Sequence, residues 1–142
     1  MTERFELTVE AKAEQLARIG EFITDAMRAF GLDDRKSFQV QLAVDEACAN
    51  IINYGYADAE TVGMIELVCC KKGEDIVVVI SDVGTPFDPT TAQPPDLTAN
   101  WEERAIGGLG IHFMKTLVDE LAYEYRDGKN VLTMLVKRHD RT

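Results

Sequence analysis

Glu46 and Asn50 stand four residues apart inside a long helical pattern running from about Arg35 to Tyr56. At about 100° per residue they lie about 40° from each other round the helix, with Asn53 close beside them. Positions 40, 43, 44, 47, 51 and 54 form an apolar stripe on the same helix, and the polar cluster sits away from its centre. A carboxylate and two amides at the border of a buried face can hold a ligand; the same residues also suit a helix surface, or a buried pair satisfying backbone groups. Asp82 follows the apolar, β-branched run 76–80 and precedes Val83-Gly84. There a carboxylate could accept a hydrogen bond from the amino group of a bound base, or serve as a turn aspartate. The third candidate is Gly107-Gly-Leu-Gly110, which runs into a helical pattern. Glycine permits close backbone approach, and the free amides and dipole of a helix start favour an anion such as phosphate. A glycine run before a helix is also an ordinary flexible junction, and neither G-x-G-x-x-G nor G-x-x-x-x-G-K-[ST] occurs.

These residues need elements to position them. Residues 4–11 alternate with period two, so Phe5, Leu7 and Val9 share one face of an edge or near-edge strand. Leu16, Ile19, Ile23, Met27 and Phe30 recur at helical spacing over 13–30, with Gly31 as the stop. Asp33 or Asp34 caps the helix that carries Glu46. Residues 64–70 and 76–80 read as a hairpin, the second strand covered in the middle of a sheet and delivering Asp82 at its end. Residues 85–107 hold all four prolines and no period, which predicts a long functional loop. A helical pattern through Ile111, Met114, Leu117 and Val118 follows, then strands over 120–126 and 130–137 meeting at Asp127-Gly128, a hairpin signal.

The chain's 142 residues suit a single domain over 1–142 whose apolar side chains fill one core without disulfides or metals. No apolar run approaches the roughly 20 residues of a membrane span, and the N-terminus has no secretory leader pattern, so the expected setting is the cytoplasm, away from membranes. Three cysteines without C-x-x-C spacing read as reduced, structural thiols. A net charge of −10 argues against direct nucleic acid binding and for a basic or neutral protein partner.

Taken together and in this order, Glu46-x-x-x-Asn50, Asp82-x-Gly84 and Gly108-x-Gly110, separated by a long loop, resemble the GHKL (histidine-kinase-like) ATPase superfamily. The segments Leu42-Ala-Val-Asp-Glu-Ala-Cys-Ala-Asn-Ile-Ile-Asn53, Asp82-Val-Gly-Thr-Pro-Phe-Asp-Pro89 and Gly107-Gly-Leu-Gly-Ile-His-Phe-Met-Lys-Thr-Leu-Val-Asp119 look like its anti-sigma factor serine/threonine kinase branch, across essentially the whole chain. The Pro-Phe-Asp-Pro extension is the most specific to that branch.

The resemblance implies a two-layer α/β sandwich of the Bergerat type: a mixed, mostly antiparallel sheet of about five strands with helices on one face, the other face open or supporting a homodimer. It implies ATP and Mg²⁺ as ligands, with 85–107 as the ATP lid. Glu46 would be the general base, Asn50 the Mg²⁺ ligand, and Asn53 a support for the metal or phosphate shell. Asp82 would recognise the adenine amino group, with Gly84 leaving room for the ring. Gly108, Leu109 and Gly110 would cradle phosphates, and Thr133 matches a family threonine near adenine. Arg18 falls where family members meet protein partners, and Arg104 could reach a phosphate from the loop. His112 and His139 read as incidental. The implied function is phosphorylation of an anti-sigma factor antagonist, a STAS-domain protein, coupled to sequestration of a sigma factor. One rival is a GHKL module that binds nucleotide and partner without transfer, against which the presence of both Glu46 and Asn50 weighs. Another is the detached catalytic domain of a histidine kinase, disfavoured by the Pro-Phe-Asp-Pro segment and by the lack of a preceding phosphoacceptor helix.

Overall fold

The computed structural model describes residues 4–55, 63–84 and 114–138. β1 (Arg4–Glu10) leads through a short 3-10 turn to α1 (Leu16–Ala29) and then α2 (Asp34–Asn50); β2 (Met64–Lys72), β3 (Asp75–Asp82), helical residues 114–117, β4 (Glu120–Arg126) and β5 (Lys129–Val136) follow. The five strands form one sheet in the order β1-β2-β3-β5-β4. The expectation of a mixed sheet is corrected in one respect: all four described pairings are antiparallel. Two of them are closed by two-residue turns, which leave no room for a parallel crossover. In the second turn both Asp127 and Gly128 have positive φ, the backbone that matches the twist of a tight hairpin.

Strand alternation sorts the layers. Ile65, Leu67 and Cys69 of β2, Ile76, Val78 and Ile80 of β3, and Leu132, Met134 and Val136 of β5 are buried on one face. Ile19, Ile23 and Met27 of α1 and Val40, Ala43, Val44 and Ala47 of α2 pack on that face, together with Met114. The apolar stripe that directs the Glu46 helix is therefore a core stripe through residue 47. The alternate strand residues, including Val68, Val77, Val79, Val131 and Leu135, remain half-exposed. The result is a two-layer α/β sandwich.

Two local features position α2. The Asp33 carboxylate accepts a hydrogen bond from the Lys36 amide at 2.7 Å, so the helix starts at a satisfied cap. Gly20 of α1 lies against Gln41: a Cβ there would stand 2.7 Å from Gln41 Nε2, so the missing side chain lets this polar group sit between the two helices. At the far end the structure departs from the expected helix to Tyr56. After Asn50 the backbone opens into a π-helical turn over Ile51–Gly55. The wider i→i+5 turn changes the angular phase of every residue after it.

Among the described residues no helix is long and apolar enough to cross a membrane.

Candidate functional site

The end of β3 carries a buried, hydrogen-bonded carboxylate. Asp82 continues the buried phase of Ile76, Val78 and Ile80 and is only 4% exposed, so the strand that forms the centre of the sheet carries a carboxylate into the core layer. Register places Asn130 of β5 directly opposite. Asn130 Nδ2 donates to Asp82 Oδ1 at 2.9 Å and to the Gly84 carbonyl oxygen at 3.2 Å, while its own oxygen accepts from the Tyr123 hydroxyl. Burial pushes the Asp82 carboxyl up from its ordinary range; the Asn130 hydrogen bond and a backbone hydrogen bond from Gly84 pull the other way.

α2 brings the second group. Asn50 is buried at 6% exposure and its Nδ2 has no partner. A buried amide left unsatisfied costs stability unless something fills the place. Turning the amide by 180° exchanges donor for acceptor there, so the same end can meet a phosphate oxygen or present its oxygen to a cation. Glu46, one turn earlier, is half-exposed. Cys48 ties the two halves together. It is fully buried, and burial first, then the carboxylates of Asp45 and Asp82, push its thiol up, so this part of α2 lies within electrostatic range of the end of β3. This thiol and that of Cys69, pushed up to about 12 chiefly by burial, stay protonated and inert, as their reading as structural cysteines requires.

The sequence-based candidates divide accordingly. Asn50 is buried near the C-terminal end of α2 and Glu46 half-exposed one turn earlier, while Asp82 is buried at the end of β3 and Gly84 follows it; Cys48 of α2 lies within electrostatic range of Asp82. Asn53 does not join them in the way helical phase predicts: it is exposed, inside the π-helical turn that alters its direction. Thr133 pairs with Val79 and Ala122, one residue out of phase with Asn130 and Leu132, so it lies on the opposite face of the sheet from Asp82. Gly108, Leu109, Gly110, the loop 85–107 with Arg104, and both histidines lie outside the described residues. Arg18 is exposed on α1.

Two residues were missed. Asn130 could have been found, because it occupies the apolar phase of the run Asn130, Leu132, Met134, Val136 where a polar residue needs a reason. Asp45 gave no such signal. Burial, opposed by a hydrogen bond from the Gln41 side chain and assisted by the neighbouring Glu46 charge, raises its carboxyl from 3.8 to about 6, and its Oδ1 is buried without a partner.

A buried carboxylate at a central strand end, beside a helix with an orphaned buried amide and an adjacent half-exposed acid, has the chemistry to hold a base and its phosphates. Residues 9–136 match the family model described as a histidine kinase-like ATPase domain. The chain belongs to the histidine kinase-like ATPase domain family. Within it the chain stands among RsbW-like kinases. It is 28% identical over 134 residues to a "Serine-protein kinase RsbW" of Bacillus mycoides, covering 92% of this chain and 82% of that one. It is 31% identical over 100 residues to the "Serine/threonine-protein kinase BtrW" of Bordetella bronchiseptica, 70% of each chain. In fold it is similar to the crystal structure of the RsbU and RsbW domains of a Mycobacterium tuberculosis protein, with a TM-score of 0.68 and 16% identity over 96% of this chain. The match spans about a third of that longer chain (32%).

Proposed function

We propose that this histidine kinase-like ATPase domain is a serine/threonine protein kinase that uses ATP to phosphorylate an anti-sigma factor antagonist, and that it sequesters a sigma factor when the antagonist is not there to compete. The observation that carries the reading is the buried Asp82 carboxylate, held in place at the end of β3, with Asn50 and Glu46 on the adjoining helix α2. Asp82 and Gly84 take the adenine edge and ring. Asn50 meets the phosphates or the cation that accompanies them. Glu46, half-exposed on the next turn, draws the proton from the partner's hydroxyl as its oxygen attacks the γ-phosphorus and ADP leaves.

Among the described residues no three of His, Cys, Asp and Glu gather to hold a metal. A cation at Asn50 would therefore take most of its ligands from phosphate and water oxygens, which suits Mg²⁺, and it would supply charge neutralisation between the phosphates. Gly108, Leu109 and Gly110 belong to this reading as the phosphate cradle, and 85–107 as the lid of a single ATPase domain over 1–142. The setting is cytoplasmic. The antagonist is a STAS-domain protein, and Arg18 is a contact for the partners. In this reading the second copy of a homodimer would cover the sheet face around Val77, Val79 and Leu135, which are half-exposed.

The test is incubation of the purified chain with labelled ATP, Mg²⁺ and candidate antagonists encoded in the same genome. Phosphoserine or phosphothreonine on one antagonist, lost with Glu46→Gln, is the expected result. Tight ATP binding with no transfer to any candidate would replace the kinase with a nucleotide-binding module.

A further inference from the structure

We infer that Asn130, oriented by the Gly84 carbonyl with the Tyr123 hydroxyl behind it, is a positioning residue that holds Asp82 as a hydrogen-bond acceptor, and so sets the preference of the site for a purine bearing a 6-amino group. The inference rests on the nucleotide reading above and adds to it two residues on β4 and β5.

A carboxyl with 4% exposure is under pressure to hold its proton. Protonated, it would carry an O–H donor on one oxygen and lose the charge that makes it a strong acceptor for the amino group of an adenine. Asn130 works against this. Its two amide hydrogens have two takers, Asp82 Oδ1 at 2.9 Å and the Gly84 carbonyl at 3.2 Å. Asp82 Oδ2 stands further from the same nitrogen, at 3.5 Å, so Asn130 engages it only weakly.

An asparagine amide can sit in two senses related by a half-turn, and the Gly84 carbonyl, which can only accept, decides between them together with the Asp82 carboxylate. The Tyr123 hydroxyl then donates to Asn130 Oδ1. In the reversed sense the amide oxygen would face both a carboxylate and a carbonyl, three acceptors without a hydrogen, while the amide nitrogen faced the tyrosine. Only one sense satisfies Tyr123, Asn130, Asp82 and Gly84 together. The order of the relay is also written in the register: Tyr123 pairs with Leu132 and so shares the helix-side face with Asn130 and Asp82.

The other described groups nearest Asp82 on β2 and α2 do not duplicate this control. β2 places Ile65 opposite it, which is apolar. α2 places the Cys48 thiol near it, and burial keeps that thiol protonated and neutral. Among the described residues the Gly84 backbone hydrogen bond also favours the ionised form, and Asn130 holds that turn through the Gly84 carbonyl.

The experiment compares wild type, Asn130→Leu and Tyr123→Phe, the last a mild change in case the first does not fold. Affinities for ATP and for purine riboside triphosphate, which lacks the amino group, are measured between about pH 5 and 8. The carboxyl carbon of Asp82 is titrated by NMR in the nucleotide-free proteins. Asn130→Leu should weaken ATP about tenfold at pH 7, the size of one hydrogen bond to a charged group, and change purine riboside triphosphate less than about twofold. The acid limb of ATP binding should move up by about one pH unit, together with the Asp82 titration. The triphosphate titrates alike in both nucleotides, so it does not contribute to the difference. Tyr123→Phe should move every readout in the same direction by about threefold or less. Equal loss of both nucleotides with an unmoved Asp82 titration would overturn the inference and leave Asn130 a structural residue. If wild type binds neither nucleotide, the nucleotide reading falls and the purine preference with it.

Discussion

Glu46 and Asn50 share one helix row, yet Asn50 is buried with an unpartnered nitrogen and Glu46 is half in solvent. A residue that must meet a protein substrate needs that access, whereas one that grips phosphates does not. Glu46→Gln should accordingly leave ATP affinity within about twofold and lower phosphotransfer by roughly 10²–10⁴, as removal of a general base does; transfer at the native rate would remove Glu46 from the mechanism. Asp82→Asn replaces an anionic acceptor and should weaken ATP about tenfold or more in a direct binding measurement. Asp45 concerns stability. Its carboxyl ionises near 3.8 when unfolded and near 6 in the fold. Between those values the native state holds more protons than the unfolded chain, so stability falls as pH rises through this window and stays lowered above it. Asp45 is only partly covered, which screens the effect, so Asp45→Asn should raise stability at pH 7 by about 1 kcal/mol, roughly 3 °C in Tm, and leave stability below about pH 4 unchanged. Thermal melts at pH 4 and pH 7 check both the sign and the window.

At the scale of elements, α2 is anchored at one end and used at the other. Its Asp33 cap lies 13 residues from Glu46, about 20 Å along the axis. Asp33→Ala should therefore cost about 1 kcal/mol of stability, read from denaturant unfolding, with ATP affinity unchanged; a loss of affinity would mean that the cap is coupled to the site. The far end carries the departure from simple periodicity. Helical spacing in 35–56 correctly placed Val40, Ala43, Val44 and Ala47 in the core, because burial of that stripe is what drives the helix onto the sheet. It could not announce the π-helical turn at Ile51–Gly55, since the hydrogen-bond pattern after Asn50 changes without a change in residue pattern. Asn53 is misdirected for that reason. β5 makes the complementary case: strand period was readable, but whether Asn130 or Thr133 shares a face with Asp82 depended on the register against β3.

For the whole molecule, the described helices lie on one side of the sheet, and the described side chains of its other face are half-buried or exposed. Val77 and Val79 of the central strand β3 and Leu135 of β5 are half-exposed there. If the homodimer forms through this face, Val79→Lys should shift the chain from dimer to monomer in sedimentation at micromolar concentration while its circular dichroism stays unchanged, because the substituted side chain is outside the core. A monomeric wild type would remove the dimer from the proposal.

The sequence by itself determined the elements, the stripe that buries α2, the hairpin at Asp127-Gly128 and the candidacy of Glu46, Asn50 and Asp82, since these follow from period, turn chemistry and residue type within short windows. The approach of Cys48 to within electrostatic range of Asp82, the Tyr123–Asn130–Asp82 relay and the placing of Thr133 on the other face of the sheet were decided only in three dimensions. The relay joins residues up to 48 positions apart, and it exists because two strands pair in one register and not in the neighbouring one. A slip of one residue would exchange Asn130 for a side chain of the other face, a difference that no local pattern encodes.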